Sequence, residues 1–269
     1  MFEESTRILA KDMWFKEDES HTSYENFVFI RLIAKERMFT KVSFKYTVFD
    51  SCYLRKCTFI SCDFTGCRFT SSNLPGSTFD GCSFSYTIFE KTNIDSKILS
   101  NCCPSYENQK ATFARSLRTN YQQLGDSEGV NRAIAVELKA TEIHLHKAWR
   151  SNESYYRNKY KSWTKLKMLL KWLLYKFSNI IWGNGESPLK LFCTVLVVIL
   201  GMGLLDIFFW RQTSGVGFLE AFSQAFQVFV GTPNLPLEFP EWYLAVIAVL
   251  RLTTFGLFVS ILFRKYSRR

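Results

Sequence analysis

Two charges stand where charge is costly. Asp206 and Arg251 interrupt two apolar runs, Leu189–Trp210 and Trp242–Phe263, each 22 residues long. An ion inside hydrocarbon costs at least ~2.5 kcal/mol on insertion scales, so a charge kept there points to an ion pathway or an internal ion pair. Between the runs, Glu220, Gln224 and Gln227 recur at i, i+4 and i+7 along the 13-residue segment Phe218–Val230, giving a helix there one polar face. Such residues can attract, repel or conduct ions. Covalent catalysis has no comparable support. Of His21, His144 and His146, the last two sit at i and i+2 and point to different sides of a helix. The sequence has no HExxH, nucleophile elbow or phosphate-cradling glycine loop, and the expectation is no enzyme, no cofactor and no metal.

The elements that must position these residues follow from length. At ~1.5 Å per residue either 22-residue run spans a ~30 Å hydrocarbon core, whereas 13 residues do not. The shorter segment suits a re-entrant helix. First span (188–210), short helix (218–230), outer loop (231–240) and second span (242–263) resemble in their order the two-helix pore module of the potassium-channel superfamily. The residues carrying the resemblance are Val230-Gly231 and Leu252-Thr-Thr-Phe-Gly256-Leu. It implies four copies around one axis, a filter at Phe229, Val230, Gly231, Thr232, Pro233 and Asn234, a bend at Gly256, and a constriction of Phe255, Phe258, Ile261 and Leu262 near the cytoplasmic mouth. The family's filter reads T-V-G-Y-G-D. Here proline, with φ fixed near −65°, stands among residues whose alternating carbonyl geometry needs glycine. The expectation is a pore without the standard potassium filter.

By depth, Asp206 lies about four residues from the outer end of its span and Arg251 about nine, a difference of ~7 Å. Two readings stay open. Arg251 either pairs with Asp206 or Glu220 behind the loop, bracing the short helix, or faces the water path, where a ring of arginines favours anions.

The net charge of +10 is concentrated beside the spans rather than spread as for nucleic acid. Seven basic residues and no acid lie between Arg157 and Lys176, and the chain ends Arg264-Lys265-Tyr-Ser-Arg268-Arg269. Both flanks then face the cytoplasm, in the inner membrane of a bacterium, with the loop outside. Met1–Phe15 has no apolar core of a secretory signal, which keeps the N-terminal region cytoplasmic. In segment 157–187, Trp163, Leu166, Leu170, Leu173, Leu174, Phe177 and Ile181 form an apolar stripe opposed by lysines. With Trp163, Lys167, Lys171, Trp172 and Lys176 it reads as a helix lying in the headgroup plane against anionic lipid. A soluble helix packed on the preceding segment is the alternative.

The most regular signal is a period of five. Phe39, Phe44, Phe49, Leu54, Phe59, Phe64, Phe69, Leu74, Phe79, Phe84, Phe89, Ile94 and Leu99 recur unbroken, with a small or β-branched residue two before each from Phe44 on except at Lys97. Neither helix nor strand has that period. The pattern resembles the pentapeptide-repeat family, which implies a right-handed quadrilateral β-helix with four repeats per coil, about three coils over 24–104. Cys52, Cys57, Cys62, Cys67 and Cys82 take the small inward position as packing residues. Ten basic and six acidic residues from Phe27 to Pro104 give +4, the wrong sign for the DNA mimicry known in that family. Exposed solenoid ends suit a second copy or a partner protein. Residues 1–23 are set apart as an N-terminal segment.

Residues 105–156 change to helical spacing. Leu117-Arg-Thr-Asn-Tyr121-Gln-Gln-Leu124-Gly125-Asp126, with Arg132-Ala133 and Glu137, is similar to the helical hairpin joining such repeats to channel-like domains, a mechanical coupler or a plain stalk. The fold class is therefore mixed: a cytoplasmic β-helix, a helical connector and a two-helix transmembrane pore domain with a re-entrant loop. The function read from it is an oligomeric ion channel, a homotetramer by resemblance, with permeating inorganic ions and membrane lipids as partners and no nucleic acid. The rival is a membrane-anchored scaffold without conduction.

Overall fold

The computed structural model describes residues 7–210, 217–231 and 240–267. The chain divides into two compact units between Leu169 and Leu170.

The first unit begins with a parallel β-solenoid of about four turns. Strands β1 (Ile8–Lys11), β3 (Phe27–Ile30), β5 (Val48–Asp50), β7 (Arg68–Thr70) and β9 (Ile88–Glu90) stack as one face; β2 (Glu19–Ser20), β4 (Met38–Thr40), β6 (Thr58–Ile60) and β8 (Thr78–Asp80) stack as another. Single bridges such as Ser43↔Asp63 and Tyr53↔Asn73 complete the remaining sides. Register advances by twenty, Phe49 pairing with Phe69 and Phe59 with Phe79. Four repeats of five per coil therefore superpose like on like, and phenylalanines stack face to face along the axis, Phe49 on Phe69 at 4.6 Å and Phe44 on Phe64 at 5.2 Å. Offset stacks at this separation add about 0.5–1.5 kcal/mol each beyond simple burial.

The solenoid begins earlier than the period of five indicates. Ile8–Lys11 and Glu19–Ser20 are strands, so residues 8–20 of the segment set apart as 1–23 supply the first coil, and the count is about four rather than three. That coil is one residue short: Ile8 pairs with Phe27, nineteen on, and Trp14 with Ile33. The slip carries Phe15 rather than Trp14 against Tyr24, Phe29 and Phe39. At Ala34 the large and small positions exchange, with Leu32 beside it and both buried, which preserves the filled volume.

The small position does more than fill space. Cys67 Sγ donates to the Phe44 carbonyl at 2.8 Å, Ser77 Oγ to Leu54 at 2.6 Å and Thr87 Oγ1 to Phe64 at 2.8 Å, each reaching twenty-three residues back to the coil below. Cys57 does the same to Ala34. Burial pushes the Cys52 and Cys102 thiols up to about 11 and raises Cys67 as well, so these groups keep the proton they donate. All eight cysteines are free. At Lys97, the exception in the small position, the chain leaves the pattern and forms the single turn α1 (Ile98–Asn101), which closes the last coil.

Helix α2 (Glu107–Leu124) covers that end. Its Phe113 meets Phe84 and Phe89 at 5.8 and 6.1 Å. Ser116, Asn120 and Gln123, at i, i+4 and i+7, accept the amides of Phe89, Thr92 and Lys91. The free edge of the last coil thus finds partners that a further coil would have supplied. Gly125, at φ 73°, ends α2, and the Asp126 side chain accepts the Gly129 amide to start α3 (Ser127–Arg150). Glu137 receives Arg115 at 2.8 Å and Arg118 at 3.1 Å across the pair. The short α4 (Ser154–Lys159) follows, and His144 bridges Tyr156 and Tyr160 hydroxyls at 3.3 Å each. Burial, then the nearby Lys159, holds that imidazole below its ordinary pKa and hence neutral near pH 7.

Beyond α4 come α5 (Trp163–Trp182), α6 (Pro188–Leu205) continued by a wider π turn (Asp206–Trp210), α7 (Phe218–Val230) and α8 (Glu241–Tyr266). None of α5 is buried, and Trp163 is 80% exposed. Pro188 at the first turn and the Ser187 side chain accepting the Lys190 amide start α6. Two helices are long and apolar enough to cross a membrane, Pro188–Phe208 and Glu241–Tyr266, with 28% and 11% of their most apolar windows buried. A core helix of a soluble protein would be mostly covered; these two leave most of their apolar surface free.

A candidate pore loop

The site rests on how α7 packs. Its buried face is Ala221, Ala225 and Val228, at i, i+4 and i+7; Ala225 and Val228 pack with Ile199 and Met202 of α6 and Tyr243 and Ile247 of α8. The small residues let the helices close up. A Cβ at Gly203 would lie 3.4 Å from the Phe222 Cα and 3.6 Å from the Ala221 carbonyl, so glycine in α6 is part of the same contact. The expected polar row lies beside this face: Gln224 and Gln227 half-buried, Glu220 exposed. Phe222 and Phe229 are half-buried, Phe218 and Phe226 exposed.

The helix ends at Gly231, whose amide bonds the Gln227 carbonyl at 2.8 Å and whose φ is 89°. This left-handed closure favours glycine, and a second demand falls on the same atom. The guanidinium of Arg251 occupies the space where a Cβ would stand. Arg251 therefore meets the C-terminal turn of α7. Asp206 is buried at the end of α6, 1% exposed. Both readings of Arg251 therefore start from its contact with the Gly231 turn. The remaining filter residues, Thr232, Pro233 and Asn234, lie outside the described residues.

Gly231→Ala is expected to cost about 1–2 kcal/mol from the backbone alone, and more because Arg251 must move. In an Arg251→Ala background only the backbone part should remain. Thermal unfolding of the four proteins in detergent closes this cycle; equal costs in both backgrounds would show that the guanidinium does not press on the turn.

Arg251 lines a groove of about 470 Å³ with Leu191, Phe192, Phe229, Phe255 and Phe258. Phe255 and Phe258 thus share one face with the arginine. Ile261 does not: it is buried beside Ser178 and Trp182, and Leu262 is half-buried. The reason is local, since Arg264 ion-pairs with Glu186 at 3.3 Å and bonds the Gly185 carbonyl, turning that side of α8 toward the end of α5. A Cβ at Gly256 would meet nothing within 4 Å. The outward side chains Trp163, Lys167 and Lys171 of α5 are exposed, with Lys176 6.0 Å from the Trp172 ring.

No curated protein matches the chain. Residues 44–88 match the family of pentapeptide repeats over nine copies, so the β-solenoid of this chain is a pentapeptide-repeat domain.

Proposed function

We propose that the chain is the subunit of an oligomeric ion channel in a cell membrane, with the β-helix on the cytoplasmic side for assembly or sensing. The observation that carries this reading is the short helix α7. It packs by a small-residue face on two long apolar helices that are otherwise bare, and its C-terminal turn meets the arginine of the second. A simple anchor needs no such third helix. Two helices and one loop enclose no water, so several copies must share an axis, and the uncovered sides of α6 and α8 offer the surface for them. The bare amphipathic helix α5, apolar on one side and lysine-rich on the other, suits an anionic headgroup layer. Its position fits basic residues held inside the cell.

Flux through purified protein in liposomes tests the reading. Ion movement above empty vesicles is expected. No movement under any voltage, lipid or pH, with the protein folded and inserted, would leave only a scaffold moored by its helices.

A further inference from the structure

Building on the channel reading, we propose that the permeant ion is a small inorganic anion and that Arg251 selects it. The end of a helix sets the sign of the field around it. The C-terminus of α7 carries roughly −0.5 of an elementary charge and, left bare, would favour a cation. Here that end is not bare. The Arg251 guanidinium lies on the Gly231 turn itself, and a full positive charge outweighs a half negative one. The local sign is positive.

No acid of the spans reverses it. Asp206 is buried at the end of α6 and does not line the groove. Glu220 stands near the start of α7, about 15 Å from its last residue at ~1.5 Å per residue, and does not line the groove either. Among the described residues that line the groove, Arg251 is the sole charge; the others are apolar apart from Thr254. A groove of about 470 Å³ holds several waters, each occupying about 30 Å³ in the liquid. That is room for a small ion with part of its hydration shell.

Low-dielectric walls concentrate the field of that charge. Each copy around a shared axis adds one guanidinium at the same depth, and rings of arginine are a recognised way to select anions.

The test is the reversal potential of the full chain in planar bilayers across a tenfold KCl gradient. The wild type is expected to reverse toward the chloride equilibrium potential, with a limit of about 59 mV for perfect selection. Arg251→Lys should keep the sign, Arg251→Gln should bring the potential toward zero, and Arg251→Glu should reverse the sign. A wild type that conducts but reverses at the potassium potential overturns the anion assignment and leaves the channel reading intact. So does an Arg251→Gln channel as anion-selective as the wild type. A wild type that inserts and carries no current removes both.

Discussion

Phe64→Ala should lower the unfolding free energy of the β-helix by about 3–5 kcal/mol, the usual range for deleting a phenylalanine from a packed core. The Phe64 ring lies between Phe44 at 5.2 Å and Phe84 at 5.0 Å, with Phe59 edge-on at 5.3 Å, so both faces and one side lose contacts at once. Collapse into the void is blocked. The backbone on either side is fixed by the ladder, the Phe64 amide on the Ser83 carbonyl and the Phe44 amide on the Asp63 carbonyl, both at 2.8 Å. Phe15→Ala, in the end coil where the ring is half-buried, should cost less than half as much. Denaturant titration of the full chain in detergent, followed by far-ultraviolet circular dichroism, measures both. Equal losses at the two positions would mean that the interior ladder relaxes as freely as the end.

The second large effect is expected at Asn120. Its side chain is wholly buried; Nδ2 donates to the Thr92 carbonyl and Oδ1 accepts the Thr92 amide, both at 2.7 Å. This pair of bonds imitates what a neighbouring strand would offer. Asn120→Leu keeps a similar volume but strands two backbone groups where water does not reach, at about 1–3 kcal/mol each. A loss of about 2–5 kcal/mol is expected, together with faster hydrogen exchange at the Thr92 amide. Gln123→Ala, on an exposed part of the same helix, should stay within about 0.5 kcal/mol because the Lys91 amide can turn to water. If Asn120→Leu leaves Thr92 protected, α2 is a cover held by apolar contact alone.

Both results bear on function. Once α2 is bonded into the last coil, it is an extension of the solenoid and not a hinge beside it. A force reaching the β-helix is then delivered to α3 through Glu137 and its two arginines.

The repeat was legible because a square coil with five residues per side must turn one large residue inward at each side, and nothing else in the chain competes with that demand. The corners were not legible. Residues such as Tyr46, Ser51, Lys56 and Ser61 take φ between 54° and 58°, a conformation usually left to glycine, and only three of the corners from Tyr46 to Lys91 are glycine. Stacking of whole coils holds them there, at about 1–2 kcal/mol of local cost each. The capping role of α2 left a trace in the sequence, since Ser116, Asn120 and Gln123 fall on one helical face next to the last repeat. Their partners are backbone amides, which have no residue signature.

Sequence alone determined the elements whose signal is local: the inward residue of each repeat, the two long apolar helices, the 13-residue helix between them and the charges lodged in those apolar runs. Tertiary structure decided which distant groups meet. It took a nineteen-residue first coil to carry strand pairing back to Ile8, the packing of Ala225 and Val228 on α6 and α8 to bring Arg251 onto Gly231, and the Glu186–Arg264 pair to turn Ile261 away from the groove. Periodicity is written in each stretch of chain, whereas a contact between helices depends on crossing geometry that belongs to neither helix by itself.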